Sequence, residues 1–145
     1  MRVVVQRAKN SSVIVNNTCA GKISSGLVLL VAFTDSDTLE NINYMVKKVI
    51  GLRIFPDENG VMNKNILDYG GEILSISQFT LYGDATKGNR PSYIKAAKGE
   101  IAKPMYEKFN ELLSNYVKVE NGIFGADMEV NIINVGPTTI LLEKE

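Results

Sequence analysis

Residues 26–33 read Gly26-Leu27-Val28-Leu29-Leu30-Val31-Ala32-Phe33, eight positions without a polar side chain. The length of the run and its β-branched valines predict a strand buried on both faces. Upstream, Val3 to Arg7 and Ser12 to Val15 read as two short strands. Asn16-Asn17-Thr18 is a turn signal, and Cys19 to Ile23 returns as another strand. Downstream, Asp37 with Glu40 three residues later forms a capping-box pattern. Leu39, Ile42, Met45, Val46, Val49 and Ile50 then follow at helical spacing, and Gly51 is a stop. Leu52 to Phe55 reads as a short strand closed by the turn Pro56 to Gly60, and the alternating Glu72 to Ser77 as another strand. A short helix is expected over Pro91 to Ala97. A longer one follows, with Ile101, Met105, Phe109, Leu112 and Tyr116 on one face and Pro104 in its first turn. Asn121-Gly122 marks a turn, and Met128 to Asn134 and Thr138 to Leu142 read as strands either side of Gly136-Pro137. No repeat or linker interrupts residues 1–145. The expectation is one α/β domain of mixed sheets with helices packed on one side.

Composition narrows the chemistry. The 145 residues are 45% hydrophobic and 22% charged, ordinary values for a globular domain. A single cysteine, Cys19, rules out an intramolecular disulfide and fits a reducing compartment. No apolar run reaches the length of a membrane span, and Met1-Arg2-Val3-Val4-Val5 enters a strand pattern with no signal-peptide core, so a cytoplasmic protein is expected. There is no histidine. That excludes Ser-His-Asp and Cys-His nucleophiles and every His-based zinc site. Any proton transfer must come from carboxylates, lysine, tyrosine, backbone, water or the substrate. No metal or cofactor is expected. Net charge is zero, but Lys87 to Lys108 holds six basic and two acidic residues, a local +4 against −4 elsewhere. That segment is either a solvated face or an attraction for phosphate.

Two segments stand out as candidate chemistry. Ser77-Gln78-Phe79-Thr80-Leu81 sets hydrogen-bonding side chains at the end of an apolar strand. Ser77 and Thr80 could act as nucleophiles, although no base lies near in sequence. The alternative is that backbone N–H groups form an oxyanion pocket, which needs no titrating side chain. Lys87-Gly88-Asn89-Arg90-Pro91-Ser92-Tyr93 is a basic loop leading toward a helix start, a setting suited to phosphate. Cys19 reads as a strand residue, and Asp35 and Asp37 as helix-capping carboxylates rather than a catalytic pair. Gly136-Pro137 is a bond type for which the cis form lies only about 0.5–1 kcal/mol above trans, and glycine there lets backbone approach a ligand closely.

Taken together and in order, these segments resemble the D-aminoacyl-tRNA deacylase family, also called D-tyrosyl-tRNA deacylases. The likeness runs through Met1 to Arg7, Gly26 to Val31, Lys48 to Phe55, Ser77 to Tyr82, Lys87 to Tyr93, Gly122 to Met128 and Asn134 to Thr139. It implies a β-barrel-like pair of sheets flanked by helices. It implies a proofreading hydrolase that cleaves the ester joining a D-amino acid, or glycine, to the terminal adenosine of tRNA. It implies a homodimer with two sites at the subunit interface. Ser77, Gln78, Phe79 and Thr80 match the family's catalytic, substrate-cradling motif. Gly136 and Pro137 match its Gly-cis-Pro motif, which reaches into the partner's site, and Arg7 matches an arginine that braces that loop. Met128 is placed with the substrate-binding residues, and Lys87 and Arg90 with RNA. The family's proposed helper is the 2′-hydroxyl of the terminal adenosine, which accounts for the missing histidine.

The match is not complete. Val135 and Thr138 stand where the family usually has Asp and Val, Gly83 where alanine is usual, and Lys98-Gly99 replaces a proline-containing helix entry. Two other readings are open: a catalytically silent RNA-binding homodimer on the same scaffold, and a generic esterase. A covalent Thr80 is the rival to the RNA-assisted mechanism.

Overall fold

In a computed structural model that describes residues 1–145, the apolar run forms the second half of a 15-residue strand, β2 (Thr18–Ala32). Leu27, Val28, Leu29 and Val31 are all fully buried, as the run predicts. β2 pairs antiparallel with β1 (Arg2–Val15) and parallel with β5 (Glu72–Ser77). Beyond these lie β6 (Val119–Asn121), parallel to β5, and β7 (Glu129–Glu143), antiparallel to β1. The mixed sheet has the order β6-β5-β2-β1-β7. A minor hairpin joins β3 (Phe55–Pro56) to β4 (Met62–Lys64). Three helices complete the domain: α1 (Leu39–Gly51), α2 (Ile66–Tyr69) and α3 (Gly99–Ser114).

The two faces of the sheet are covered differently. Val3, Val5, Leu27, Leu29, Val31 and Ile73 meet the apolar stripes of α1 and α3 in the main core. On the reverse face Val28, Leu74 and Ile76 meet Ala8, Val13 and Ile23, with Met128, Val130 and Ile132 closing over them. This second cluster requires the distal half of the β1–β2 hairpin to fold back across the sheet. Gly21 permits it: a Cβ there would stand 3.1 Å from the Asn121 carbonyl of β6, at the opposite edge. The sheet thereby takes a barrel-like curl, with the helices on one side.

The sequence suggests more breaks than the structure contains. The paired short strands at each end of the first 33 residues are continuous β1 and β2. The apparent gap in β1 is a change of face: the inward set is Val3 and Val5, then Ala8, Ser11 and Val13. The two three-residue steps, Val5 to Ala8 and Ala8 to Ser11, look like a loop to a period-2 reading. The two C-terminal strands are likewise one strand, β7, interrupted by a bulge.

Other elements differ in place. The N-cap of α1 is Thr38, whose N–H and hydroxyl both donate to Asn41 Oδ1, at 3.1 and 2.6 Å. Asp37, expected as the cap, instead accepts the Met1 ammonium at 2.7 Å and the Thr34 N–H at 2.8 Å, almost wholly buried. No helix forms over Pro91 to Ala97. In α3 the buried residues are Ala102, Tyr106, Phe109 and Leu113, so its inner face is rotated from the expected one, and Pro104 lies beyond the first turn. No helix is long and apolar enough to cross a membrane.

Candidate functional site

A cleft of about 550 Å³ opens where β2 and β5 end side by side. The carboxyl ends of parallel strands are where open α/β sheets bind ligands, since the chain diverges there and leaves a crevice. One wall is Val31 to Phe33 and Ile76 to Phe79. Another is Ala97, Gly99 and Ala102 at the start of α3, and the third is the β6–β7 loop, Phe124 to Met128. Of the motif residues, Ser77, Gln78, Phe79 and Met128 share this cleft. Gly122 seats Met128: a Cβ at that glycine would be 2.5 Å from the Met128 Sδ.

After Ser77 the chain leaves the sheet and winds into one turn of 3-10 helix, Phe79–Tyr82. The Gln78 N–H still bonds the Val31 carbonyl at 2.7 Å, and the turn is closed by Leu81 N–H to Gln78 O at 3.3 Å and Gly83 N–H to Thr80 O at 2.9 Å. Between them, the N–H groups of Phe79 and Thr80 have no protein acceptor. The first donors of any helix lack intrahelical partners, and here they stand beside the cleft mouth with both residues exposed. The Thr80 hydroxyl accepts a bond from Gln78 Nε2 and has no basic or acidic partner. Phe79 packs edge-on against Tyr93, ring centroids 5.2 Å apart.

Arg7, Gly136 and Pro137 lie elsewhere. In the β1–β7 ladder Gln6 faces Thr139 and Ala8 faces Asn134, so four residues of β7 oppose Arg7 alone. This bulge carries the Gly136-Pro137 peptide, which is cis, and both residues are exposed. Arg7 braces it, with Nε donating to Val135 O at 3.2 Å and Nη1 to Ile54 O at 2.8 Å. Asn134 ties its neck. Its amide nitrogen donates to Arg7 O and Thr138 O, both at 3.0 Å, while its oxygen accepts from Gln6 at 3.2 Å and Thr139 at 3.0 Å. Both donors and both lone pairs of that amide are thus engaged, by β1 and by the loop itself. Within one chain the bulge and Ser77 are separated by three strand spacings and by the four rungs from Arg7 to Val3, roughly 20 Å along the sheet.

Lys87 and Arg90 lie on an exposed loop held at its base by a two-way bridge between Asp84 and Ser92, 2.8 Å each way, and neither forms an ion pair. The helix start expected to follow them is absent. The helix N-terminus nearest the cleft is that of α3, whose Gly99 lines it. Asn134 and the Phe124–Asp127 segment fall within stretches that carry the family likeness, but the residues by themselves assigned them no role. Apart from that likeness, the glycines at 122 and 125 are the one local signal for the latter, and the role of Asn134 depends on which strand faces it.

Beneath the 3-10 helix, Tyr82 is buried with its hydroxyl unpaired. Burial, reinforced by the Asp37 carboxylate, pushes the phenol from 10.0 up to about 12. The folded state therefore keeps the proton where the unfolded state releases it. Stability from this group is complete below pH 10.0 and falls as pH rises toward about 12. Removing an unpaired buried hydroxyl also relieves a desolvated group. Tyr82→Phe is expected to raise stability at pH 7 by about 1 kcal/mol and to make the alkaline decline shallower, read by urea unfolding at pH 7 and pH 11.

A curled mixed sheet with helices on one face thus carries a cleft whose rim presents free backbone donors and no titrating triad. Comparison with known proteins supplies the family. A family model described as D-Tyr-tRNA(Tyr) deacylase matches residues 4–143. The chain is 55% identical over 146 residues to a D-aminoacyl-tRNA deacylase of Geobacillus sp. (strain WCH70), covering 100% of this chain and 96% of that protein. It is 52% identical over 145 residues to one of Bacteroides thetaiotaomicron, covering 99% and 97%. Among solved structures, the c-Myc DNA Unwinding Element Binding Protein superposes with a TM-score of 0.95 at 38% identity, covering 100% of this chain and 99% of that one. A probable eukaryotic D-amino acid tRNA deacylase shares the fold, with a TM-score of 0.83 at 18% identity over 97% of each chain. This chain belongs to the D-aminoacyl-tRNA deacylase family, a family of hydrolases.

Proposed function

We propose that the protein, a D-aminoacyl-tRNA deacylase by family, hydrolyses the ester of D-aminoacyl-tRNA and of mischarged glycyl-tRNA by main-chain catalysis. The observation that carries the mechanism is the pair of unpartnered N–H groups of Phe79 and Thr80 beside the cleft. An aminoacyl ester is already activated toward water. Donors aimed at the carbonyl oxygen stabilise the oxyanion without any proton-transfer residue, commonly the largest single catalytic contribution. The 2′-hydroxyl of the terminal adenosine assists from the substrate side, and water attacks. The acyl–oxygen bond breaks, leaving free tRNA and the amino acid. Ser77, Gln78 and Met128 cradle the aminoacyl end, and Lys87 and Arg90 meet phosphate.

Chiral selection falls to Gly136 and Pro137. With amino group and ester held, the L side chain would run into a wall of rigid backbone; the D side chain points outward, and glycine has nothing to collide. Since the loop is roughly 20 Å from its own Ser77, the reading requires a homodimer in which each chain lends its loop to the other's cleft. In support, β7 is an edge strand of 15 residues, and Ile133 and Leu141 on it are exposed. A long apolar edge is a template for pairing with another chain.

Thr80→Ala tests the mechanism, because it keeps the N–H and removes the hydroxyl. Deacylation of D-tyrosyl-tRNA is expected to persist within about tenfold in kcat. Complete loss with an unchanged melting transition would install Thr80 as the nucleophile instead. Release of neither D- nor L-tyrosine faster than in buffer would mark a silent RNA-binding module. Full activity on a small ester lacking the nucleotide would mark a generic esterase.

A further inference from the structure

The side chain of Arg2 has a place in the site that the mechanism above does not use. It leaves β1 at its first residue and ends under the 3-10 helix. Nη1 donates to the Leu81 carbonyl at 2.8 Å. The guanidinium carbon lies 4.5 Å from the centroid of the Tyr82 ring. On its outer side Nε faces a Glu143 carboxylate oxygen at 3.7 Å. Leu81 and Tyr82 are the last two residues of the same turn whose first two, Phe79 and Thr80, present the free N–H groups.

A single 3-10 turn has few bonds and poor internal geometry, so its orientation must be imposed from outside. At its leading end the Gln78–Val31 bond does this. At its trailing end the turn is reached by Arg2, through a charge-assisted bond to a carbonyl and a planar cation set against the Tyr82 ring. A guanidinium defines an angle as well as a charge, unlike an ammonium. Rotation of the turn by a few tenths of an ångström would carry both N–H groups off the oxyanion. Five residues further along the same strand, Arg7 braces the Gly136-Pro137 bulge.

We propose that Arg2 is a positioning residue for ester hydrolysis, holding the trailing end of the Phe79–Tyr82 turn so that the Phe79 and Thr80 N–H groups meet the oxyanion. The assignment rests on the reading that those N–H groups polarise the ester. On that basis β1 holds one clamp for each half of the composite site: Arg2 for the donors of its own cleft, Arg7 for the wall it lends to the other.

The test uses the full-length protein with D-tyrosyl-tRNA. Arg2→Met keeps the apolar stem against Tyr82 and removes the donor and the charge. Its kcat is expected to fall about tenfold or more with KM held within about threefold, the pattern of an interaction used only in the transition state. Arg2→Lys is expected to recover part of that loss. The backbone amide resonances of Phe79 and Thr80 are expected to move in Arg2→Met while those of β2 stay in place. A kcat per folded molecule within about twofold of the parent, or unmoved Phe79 and Thr80 amides, overturns the proposal. Should Arg2→Met lack a melting transition, Arg2→Gln takes its place with the same outcomes. The two levels separate cleanly. If Thr80→Ala is dead, the main-chain mechanism fails whatever Arg2 does. If Thr80→Ala is active and Arg2→Met has the parent kcat, only the role of Arg2 falls.

Discussion

Gly136→Ala is expected to cost this protein its enantiomer discrimination before it costs the fold. A Cβ at this position would lie 2.6 Å from Thr138 Oγ1, 2.8 Å from the Thr138 N and 2.8 Å from Arg7 Nη2. The residue also has φ +115°, a conformation that L side chains rarely adopt. Two of the three clashing groups belong to the bulge itself and the third to its brace, so the new methyl moves the wall and its support together. The bulge is exposed and outside both apolar clusters, so the strain is released locally, at about 1–3 kcal/mol of stability. If the bulge excludes L side chains by collision, a displaced bulge admits them. The ratio of D-tyrosyl-tRNA to L-tyrosyl-tRNA deacylation is expected to fall about tenfold or more, equivalent to about 1.4 kcal/mol of discrimination. Parallel time courses on the two charged tRNAs read it directly. A variant that remains folded and keeps the parent ratio would remove Gly136 from chiral selection.

Gly26→Ala is expected to be the most damaging single methyl added to the sheet. Gly26 lies where β5 begins its parallel ladder with β2, opposite Glu72. A Cβ on it would stand 1.8 Å from the Glu72 carbonyl oxygen and 2.6 Å from the Glu72 nitrogen. Both are main-chain atoms of the neighbouring strand and cannot rotate aside as a side chain would. Relief requires β5 to separate from β2, and β5 carries Leu74 and Ile76 into one core cluster and Ile73 into the other. Overpacking on this scale costs about 3 kcal/mol or more, so melting is expected to drop by roughly 10 °C, or soluble protein to be lost. Because Ser77 ends the same strand, any folded fraction is also expected to show weakened deacylation. A melting temperature within about 2 °C of the parent would mean that β2 and β5 are not in contact at Gly26.

These two glycines mark the boundary of what could be read in advance. The apolar stretch from Gly26 to Phe33, the stripe of α1 and the alternation of β5 were legible because burial imposes its period on neighbouring residues. The Ser77–Thr80 run stood out as polar residues at the end of an apolar strand, and Gly136-Pro137 as a break in a strand pattern. The helix expected over Pro91 to Ala97 did not form. Its residues are tied into a loop by the Asp84–Ser92 bridge and by contacts to the end of β2, including Ala97 N–H to Phe33 O at 2.9 Å. Asp37 looked like a cap because local spacing favours that reading. Its partner is the Met1 ammonium, 36 residues away. The contacts of Asn134 and Arg2 were not legible, since each acts on a segment that only the fold brings within reach.

The sequence alone determined the α/β class, the central buried strand and the exclusion of histidine chemistry, and it marked the candidate segments. All of these follow from side-chain type and short-range period. Tertiary structure alone decided that Phe79 and Thr80 keep their N–H groups free, that Arg2 bonds the Phe79–Tyr82 turn and Arg7 the Gly136-Pro137 bulge from one strand, and that this bulge lies far from the cleft of the same chain. Those are consequences of strand order and register, and a linear pattern does not specify which distant backbone atoms become neighbours.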